Sequence, residues 1–528
     1  MAGEASMTAQ ALAVLGTGSD VGKSVIAAAL CRIFLRAGIR VAPFKAQNMS
    51  NNSCVTQDGK EMGRAQVLQA QACGLEPDAD MNPILLKPES DRAAQIVVQG
   101  AVWGKSDARE YFTHRAELAQ RVKDSYDRLA GAFDLIVIEG AGSAAELNLR
   151  DRDLANWSMA ELADARVVLV ADIDRGGVFA QVIGTLDLID PAERSRVAGV
   201  IINKFRGDLT LFDDGVRIIE ARTGIPVLGV VPMLRDLVID QEDSVAVECA
   251  AQRPFDPACI NVAVVLLRRM SNFTDFTYLA AEPDVRLRYV EHPNDCAGAD
   301  VVIIPGSKNT LEDLRAVKQA GFPAALRRHA ASGGEVIGIC GGFQMLGFEV
   351  ADPDGVESGG TVSGIGLLDI STVMTPVKTT RVVEAHALHL APDAEEPVRG
   401  YYIHMGATRR GEAGPCFRVS LRRTATDLDD QAAVSFDGAV SHGGSVWGTY
   451  IHGVFDQSGF RRAWLNNVRR RKGWEALSLD TSAAVSRRIE DELDRWADHV
   501  EHYLDVGRLC RSMGMAGEIL RRIRTGHR

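Results

Sequence analysis

The sequence predicts an α/β protein made of two doubly wound, mainly parallel-sheet domains followed by a helical C-terminal tail. Short apolar runs repeatedly end in turns rich in glycine or acid and are followed by amphipathic stretches, the rhythm of strands alternating with helices. That rhythm stops near residue 250 and restarts near residue 262. After His452 the chain becomes charged and helical in pattern. At 528 residues the chain also exceeds what one hydrophobic core fills, so two or three domains are expected.

The first domain is expected over 1–250, with strands at 11–16, 39–44, 133–138, 166–171, 197–202 and 227–231, all apolar enough to be buried on both faces. At 250–257 the string AAQRPFDP combines two prolines with polar residues and no periodicity, as linkers do. The second domain is expected over 258–465, with strands at 262–267, 301–304, 335–339 and 446–451. In the extension 466–528, Ile489, Leu493, Trp496, Ala497, Val500 and Leu504 fall on one helical stripe, expected to pack on the tail's own domain.

Bulk composition excludes several classes. A net charge of −11, with no Lys/Arg cluster interleaved with aromatics, argues against nucleic acid. Nine scattered cysteines without CxxC pairs suggest neither a disulfide framework nor a structural zinc. No run of about 18 apolar residues and no basic, apolar leader is present, so no membrane span and a cytoplasmic location are expected.

Two stretches carry chemistry. The first, Gly16, Thr17, Gly18, Ser19, Asp20, Val21, Gly22, Lys23, Ser24, lies between a strand and an Ala-rich helix. Glycines let backbone N–H groups curl toward phosphate oxygens, and the helix N-terminus adds partial positive charge. Lys23 is placed to reach the outer phosphates of ATP and Ser24 to ligate Mg2+. Gly16 sits one residue too far upstream for the strict GxxxxGK[ST] spacing. Glu139, at the end of the strand in FDLIVIEGAG, is expected as a magnesium ligand or a positioner of water, and Asn203, at another strand end, as a reader of the nucleotide base.

The second stretch, EVIGICGGFQ at 335–344, reads as strand, sharp turn and helix, with Cys340 at the turn. Small neighbours allow the tight turn, and the helix N-terminus favours the thiolate that attacks a carbonyl. His452, after the last apolar strand, is expected as the base, with His404 as competitor. Gly306 in the loop 304–308 and Gly341 beside the nucleophile are expected to offer backbone N–H groups to an oxyanion. One such donor is typically worth about 100- to 1,000-fold in rate.

The GxCxGxQ string with its later histidine resembles a class I glutamine amidotransferase domain, and the phosphate loop with VIEGAG resembles the P-loop NTPase-like nucleotide domain of the dethiobiotin-synthetase type. The longer strings APFKAQNMS (42–50), MNPILLKP (81–88), VADIDRGGVFA (170–180), INKFRGD (202–208), IPGSKNT (304–310) and ICGGFQMLG (339–347) together resemble the cobyric acid synthase family of cobalamin biosynthesis. That resemblance runs from about residue 12 to residue 456. It implies amidation of the b, d, e and g carboxylates of adenosylcobyrinic acid a,c-diamide with ATP and glutamine. It further implies that Lys45 neutralises phosphate and carboxylate charge and that Glu61 is a second magnesium candidate.

Two positions depart from these families. Most class I glutaminase domains carry a Glu two residues after the histidine, whereas position 454 is Val, which predicts a Cys–His dyad with an unidentified orienting group. Tyr402 stands where the family pattern has an acid. Cobyrinic acid a,c-diamide synthase shares both domain types, but the strings at 42–50 and 172–180 favour the first reading. CTP synthase would need the missing Glu. A partitioning ATPase would have no use for Cys340.

Overall fold

The computed structural model describes residues 9–90, 93–234, 237, 254–421, 434–478 and 488–515. Part of the expected linker, residues 250–253, lies outside them. The first sheet is wholly parallel, in the order Val227–Pro232, Val197–Phe205, Arg166–Asp172, Gln10–Gly16, Leu135–Glu139, Val41–Phe44. Its strands are the six expected ones, differing only at their ends. Their apolar residues, except the partly buried Val227 and Val230 of the edge strand, are buried on both faces, as helices covering a parallel sheet require. Register brings the strand ends together, with Val14 opposite Glu139 and Asp172 opposite Asn203.

The second parallel sheet runs Val285–Val290, Ile260–Val265, Val301–Ile304, Glu335–Ile339, Val446–Thr449, with the short strand Ala439–Val440 antiparallel at its edge. The helix Ser458–Arg471 buries Phe460, Trp464 and Val468 in this unit's core, so the expected boundary at 465 falls inside an element.

Among the described residues two larger sheets, besides two two-stranded ones, were not predicted. One is antiparallel apart from its first pair and runs Gln47–Met49, Ile84–Pro88, Ala93–Val98, Ala101–Asp107. The other is built around the long hairpin of Ile370–Ala387 with Val398–Arg410. The hairpin escapes a search for continuous apolar runs because its strands alternate polar and apolar residues and carry Lys, Thr and Arg on exposed faces, whereas Ile84–Pro88 and Ala93–Val98 are short apolar stretches interrupted by Lys87 and Gln95.

The tail also departs from expectation. The helix Arg488–Tyr503 packs against the helix Lys23–Arg36 of the first unit, not on the second. Leu493, Trp496, Ala497 and Val500 join the core beneath the first sheet. Arg32 grips Asp494 at 2.7 and 2.9 Å, and Trp496 Nε1 donates to the Val25 carbonyl at 2.7 Å. Leu504 bridges to Gly229, extending the contact to the sheet's edge strand. Among the described residues no helix is long and apolar enough to cross a membrane.

Because the tail helix clamps the helix that begins at Lys23, its loss should loosen the nucleotide unit. Trp496→Ala is expected to cost about 3–5 kcal/mol, the usual penalty for emptying a buried tryptophan site. Urea denaturation followed by tryptophan-independent circular dichroism measures this, and a cost below about 1 kcal/mol would contradict the packing role.

Candidate functional site

The loop after Gln10–Gly16 opens into a cavity of about 1180 Å³ lined by Gly22, Lys23, Ser24, Lys45 and Glu139 among others. Gly22 caps the helix in a left-handed conformation, φ +94°, and a Cβ there would come within 2.3 Å of Asn203 Nδ2. Only glycine fits both demands. Lys23 Nζ donates to the carbonyls of Gly18 and Gly142, each at 2.9 Å, which folds the loop around its own ammonium group.

Glu139 is buried and collects four donors. Ser24 Oγ and Lys45 Nζ reach Oε1 at 2.6 and 2.9 Å, while Gln69 and Gln66 amides reach Oε2 at 2.6 and 3.2 Å. Burial works against its charge, but Lys45 and these hydrogen bonds outweigh it and hold the carboxyl below its ordinary range. The two glutamines were not singled out from sequence. Their signal is an i, i+3 pair of wholly buried amides on the helix Arg64–Ala72.

Other expected residues stand behind the loop. Thr17 gives its N–H to the Val170 carbonyl at 2.9 Å, and its hydroxyl faces Gln181. Asn203 Nδ2 donates to the Val21 carbonyl at 2.9 Å and so braces the loop from below. Gly16 is packed against Val21 and the Lys23 side chain. Glu61 is not beside Glu139. Its buried carboxylate is held between the ammonium groups of Lys87 and Lys378, which leaves no face for magnesium and corrects that expectation.

In the second unit Cys340 sits at φ +50°, ψ −108°, a strained turn of the kind that presents a nucleophile. A Cβ on Gly342 would meet the Ile304 carbonyl oxygen at 2.0 Å, so the helix can approach the neighbouring strand only with glycine there. A cavity of about 40 Å³ adjoins the sulfur, lined also by Lys87, Ser307, Lys378 and His404.

His452 is the base the geometry supports. Its Nδ1 lies 2.7 Å from Asp275 Oδ2, while Gly453 N donates to Oδ1 of the same carboxylate at 2.9 Å. Burial disfavours the charged imidazole, but Asp275, with Cys340 adding to it, pushes His452 up to about 10. Nε2 is buried without another hydrogen-bond partner, as expected of a ring nitrogen kept for the sulfur. Tyr401 stacks on the ring at 5.4 Å between centroids.

Asp275, on the short turn Phe273–Phe276, is therefore the orienting group that Val454 does not provide. It lies 177 positions from His452 in the chain, so no local spacing could reveal it. His404 instead stacks on Tyr450, and burial lowers it to about 4, which keeps the ring neutral.

Gly341 follows Cys340 in the chain, and Gly306 lies beside His452. A Cβ on Gly306 would lie 3.3 Å from His452 Cε1, and one on Gly341 would lie 2.9 Å from the backbone nitrogen of Ser307. Ser307, in the loop 304–308 expected to offer a backbone N–H, thus brings its nitrogen beside Gly341.

A phosphate cradle and a thiol–imidazole–carboxylate array in one chain define a nucleotide-dependent enzyme with a glutaminase centre. Residues 12–245 match the model of the CobQ/CobB/MinD/ParA nucleotide binding domain, and residues 261–460 that of the CobB/CobQ-like glutamine amidotransferase domain. A cobyric acid synthase of Syntrophobacter fumaroxidans is 46% identical over 515 residues, covering 96% of this chain and 99% of that protein. One from Chlorobium phaeobacteroides is 48% identical over 511 residues, covering 95% and 99%, and one from Salmonella agona 48% over 509 residues, covering 95% and 97%. The chain belongs to the cobyric acid synthase family, and it is a glutamine-hydrolysing ligase.

Asp275 gives a pH test. A histidine raised from 6.5 to about 10 contributes stability that is fully present below pH 6.5 and is lost as pH rises through about 10. Asp275→Asn is expected to flatten the fall in Tm between pH 6.5 and 10 and to lower glutaminase kcat by about 100-fold or more. Calorimetry across that range, with a glutamate-release assay, measures both; unchanged profiles would remove Asp275 from the array.

Proposed function

We propose that the protein amidates the b, d, e and g carboxylates of adenosylcobyrinic acid a,c-diamide, using ATP and the ammonia of glutamine, to give adenosylcobyric acid. The observation that carries this reading is the near full-length family match joined to two chemically complete centres in one interior. The acid substrate would occupy the large cavity beside the phosphate loop.

At the glutaminase centre, the Cys340 thiolate attacks the side-chain carboxamide carbon of glutamine. Backbone N–H groups of Gly341 and of the Gly306–Ser307 strand stabilise the oxyanion. His452 then gives a proton to the departing nitrogen, ammonia leaves, and water hydrolyses the thioester with His452 as base. Asp275 keeps the imidazole in one orientation through both steps.

At the nucleotide centre, Lys23 leaves its loop carbonyls for the outer phosphates of ATP, and Lys45 offsets charge between phosphate and carboxylate. A substrate carboxylate attacks the γ-phosphorus, giving an acyl phosphate and ADP. Ammonia then displaces phosphate to form the amide. The activation is required because a bare carboxylate repels nucleophiles and has no leaving group. Asn203, already bonded to the loop, is the group we assign to the nucleotide base.

Among the described residues no three His, Cys, Asp or Glu side chains converge as a metal cage. The pair Ser24 Oγ and Glu139 Oε1, 2.6 Å apart, nonetheless fits magnesium, which favours hard oxygens and takes its remaining ligands from phosphates and water. Bound there, the ion would neutralise charge developing on the transferred phosphoryl group.

Cys340→Ala is expected to abolish glutamine-driven amidation and to leave amidation driven by ammonium salt. Lys23→Ala is expected to lower product formation with either nitrogen source by about 100-fold or more. Mass spectrometry of the corrinoid product, counting each exchange of OH for NH2, reads both. Loss of ammonium-driven turnover in a folded Cys340→Ala protein, or normal turnover in Lys23→Ala, would overturn the corresponding assignment.

A further inference from the structure

The cysteine centre acts on the carboxamide of glutamine, but the molecule also carries an α-ammonium and an α-carboxylate that its site has to recognise. One side chain beside the thiol has the charge for the first of these and no partner that uses it. Glu357 lines the Cys340 cavity, is partly buried, and among the described residues is ion-paired with no Lys, Arg or His. Other carboxylates of the interior are matched by cations: Glu61 by Lys87 and Lys378, Glu89 by Lys308 and Lys105, Glu282 by Arg461 and Arg462. Lys308 borders the same cavity, but its ammonium is committed to Glu89 at 2.8 Å. Burial therefore outweighs the pull of Lys308 and pushes the Glu357 carboxyl up to about 7.

The position of Glu357 is fixed from several sides. Asp352, wholly buried at the end of the strand Glu349–Asp352, accepts hydrogen bonds from Val356 N, Glu357 N and Gly359 N at 2.7, 2.9 and 2.8 Å. Ser358 Oγ donates at 3.2 Å to Asn309 Oδ1, the atom that also caps the helix Thr310–Gln319. At the first turn of that helix Leu311 N reaches the carboxylate at 3.3 Å. The Thr310 hydroxyl has one proton and two acceptors, Gln344 Oε1 at 3.1 Å and Glu357 Oε1 at 3.4 Å, so the nearer amide takes it and Glu357 Oε1 is left short of a donor. A charge held away from water in this state is costly until a cation with N–H groups meets it.

Thr310 also sets the distance to the thiol. Its partner Gln344 stands on the helix Gly341–Met345, one turn after Cys340. In glutamine three carbons separate the carboxamide carbon from the α-nitrogen, a reach comparable to one helical turn of about 5.4 Å. The cavity of about 40 Å³ has room for a water and not for glutamine, so side chains that line it have to yield. Met405, unbranched and rotatable, is suited to do so, whereas Glu357 stays held through Asp352.

Resting on the glutaminase reading above, we infer that Glu357 binds the α-ammonium of glutamine and so selects the amino acid over amides that lack the amino group.

Ammonia release from glutamine, compared with release from glutaramate, which is glutamine without its amino group, tests this. The parent is expected to prefer glutamine by about 30-fold or more in kcat/KM, as a hydrogen bond between charged groups supplies. Glu357→Gln keeps the shape and removes the charge. It is expected to raise the KM for glutamine by about the same factor, to leave the KM for glutaramate within about threefold, and so to erase the preference. A variant in which both KM values rise together, with the preference intact, would overturn the assignment and leave Glu357 a purely structural part of its loop. Should Glu357→Gln fail to fold, Glu357→Ala is read in the same way, and equal turnover of the two compounds by the parent overturns the assignment without any variant. A parent that releases ammonia from neither compound would defeat the glutaminase reading instead, so the two failures are distinguishable.

Discussion

The glutaminase imidazole is oriented by a carboxylate whose position depends on contact with the other half of the chain. Asn272 holds a left-handed backbone, φ +52°, three residues before Asp275, and accepts a hydrogen bond from Ser53 N at 2.9 Å. In return Phe273 N donates to Asn52 Oδ1 at 3.1 Å, and the Tyr401 hydroxyl, from the residue stacked on His452, donates to the Ser53 carbonyl at 3.0 Å. A net hydrogen bond contributes only about 1 kcal/mol, but a buried group left unpaired costs about 1–3 kcal/mol. Undocking would strand several such groups at once. Catalytic geometry at one centre is thereby tied to the docking of the unit that carries the other.

The same contact concentrates buried charge. Glu61 stays ionised because Lys87 and Lys378 offset its desolvation, while burial pulls Lys378 down to about 7. Elsewhere in the glutaminase unit a comparable cluster, Arg461 and Arg462 with Glu282 and Asp284, anchors the helix Ser458–Arg471. The two differ in what surrounds them. The arginine cluster ties a helix to its own sheet, whereas the Glu61 cluster draws its members from both halves and adjoins the cavity at Cys340. Ion pairs of this kind are weak sources of stability, and their geometric exactness is what a shared interior gains from them.

Much of the architecture could be read from local pattern. Strands of a parallel sheet are buried on both faces, so their residues form continuous apolar runs, and ten such runs were recognisable. The phosphate loop and the cysteine elbow were legible because strand, tight turn and helix are consecutive in the chain. The hairpin at 370–410 was not, because half of its side chains face water or polar partners, and the interleaved sheet at 47–107 was not, because its short apolar stretches are interrupted by Lys87 and Gln95. Glu61, a magnesium candidate from family resemblance alone, meets Lys87 and Lys378 instead, since resemblance says nothing about which cation a buried acid will face.

By itself the sequence determined the fold class and singled out Cys340, His452, Lys23 and Glu139 as candidates, since each lies within a short segment whose backbone geometry follows from glycine placement and apolar periodicity. Only the tertiary structure decided that Asp275 completes the cysteine centre, that Gln66 and Gln69 hold Glu139, that Glu61 belongs to two lysines, and that the tail helix returns to the first unit. Those are pairings between residues far apart in the chain, selected by which buried polar groups find complementary partners once the cores have closed, and no local pattern encodes that choice.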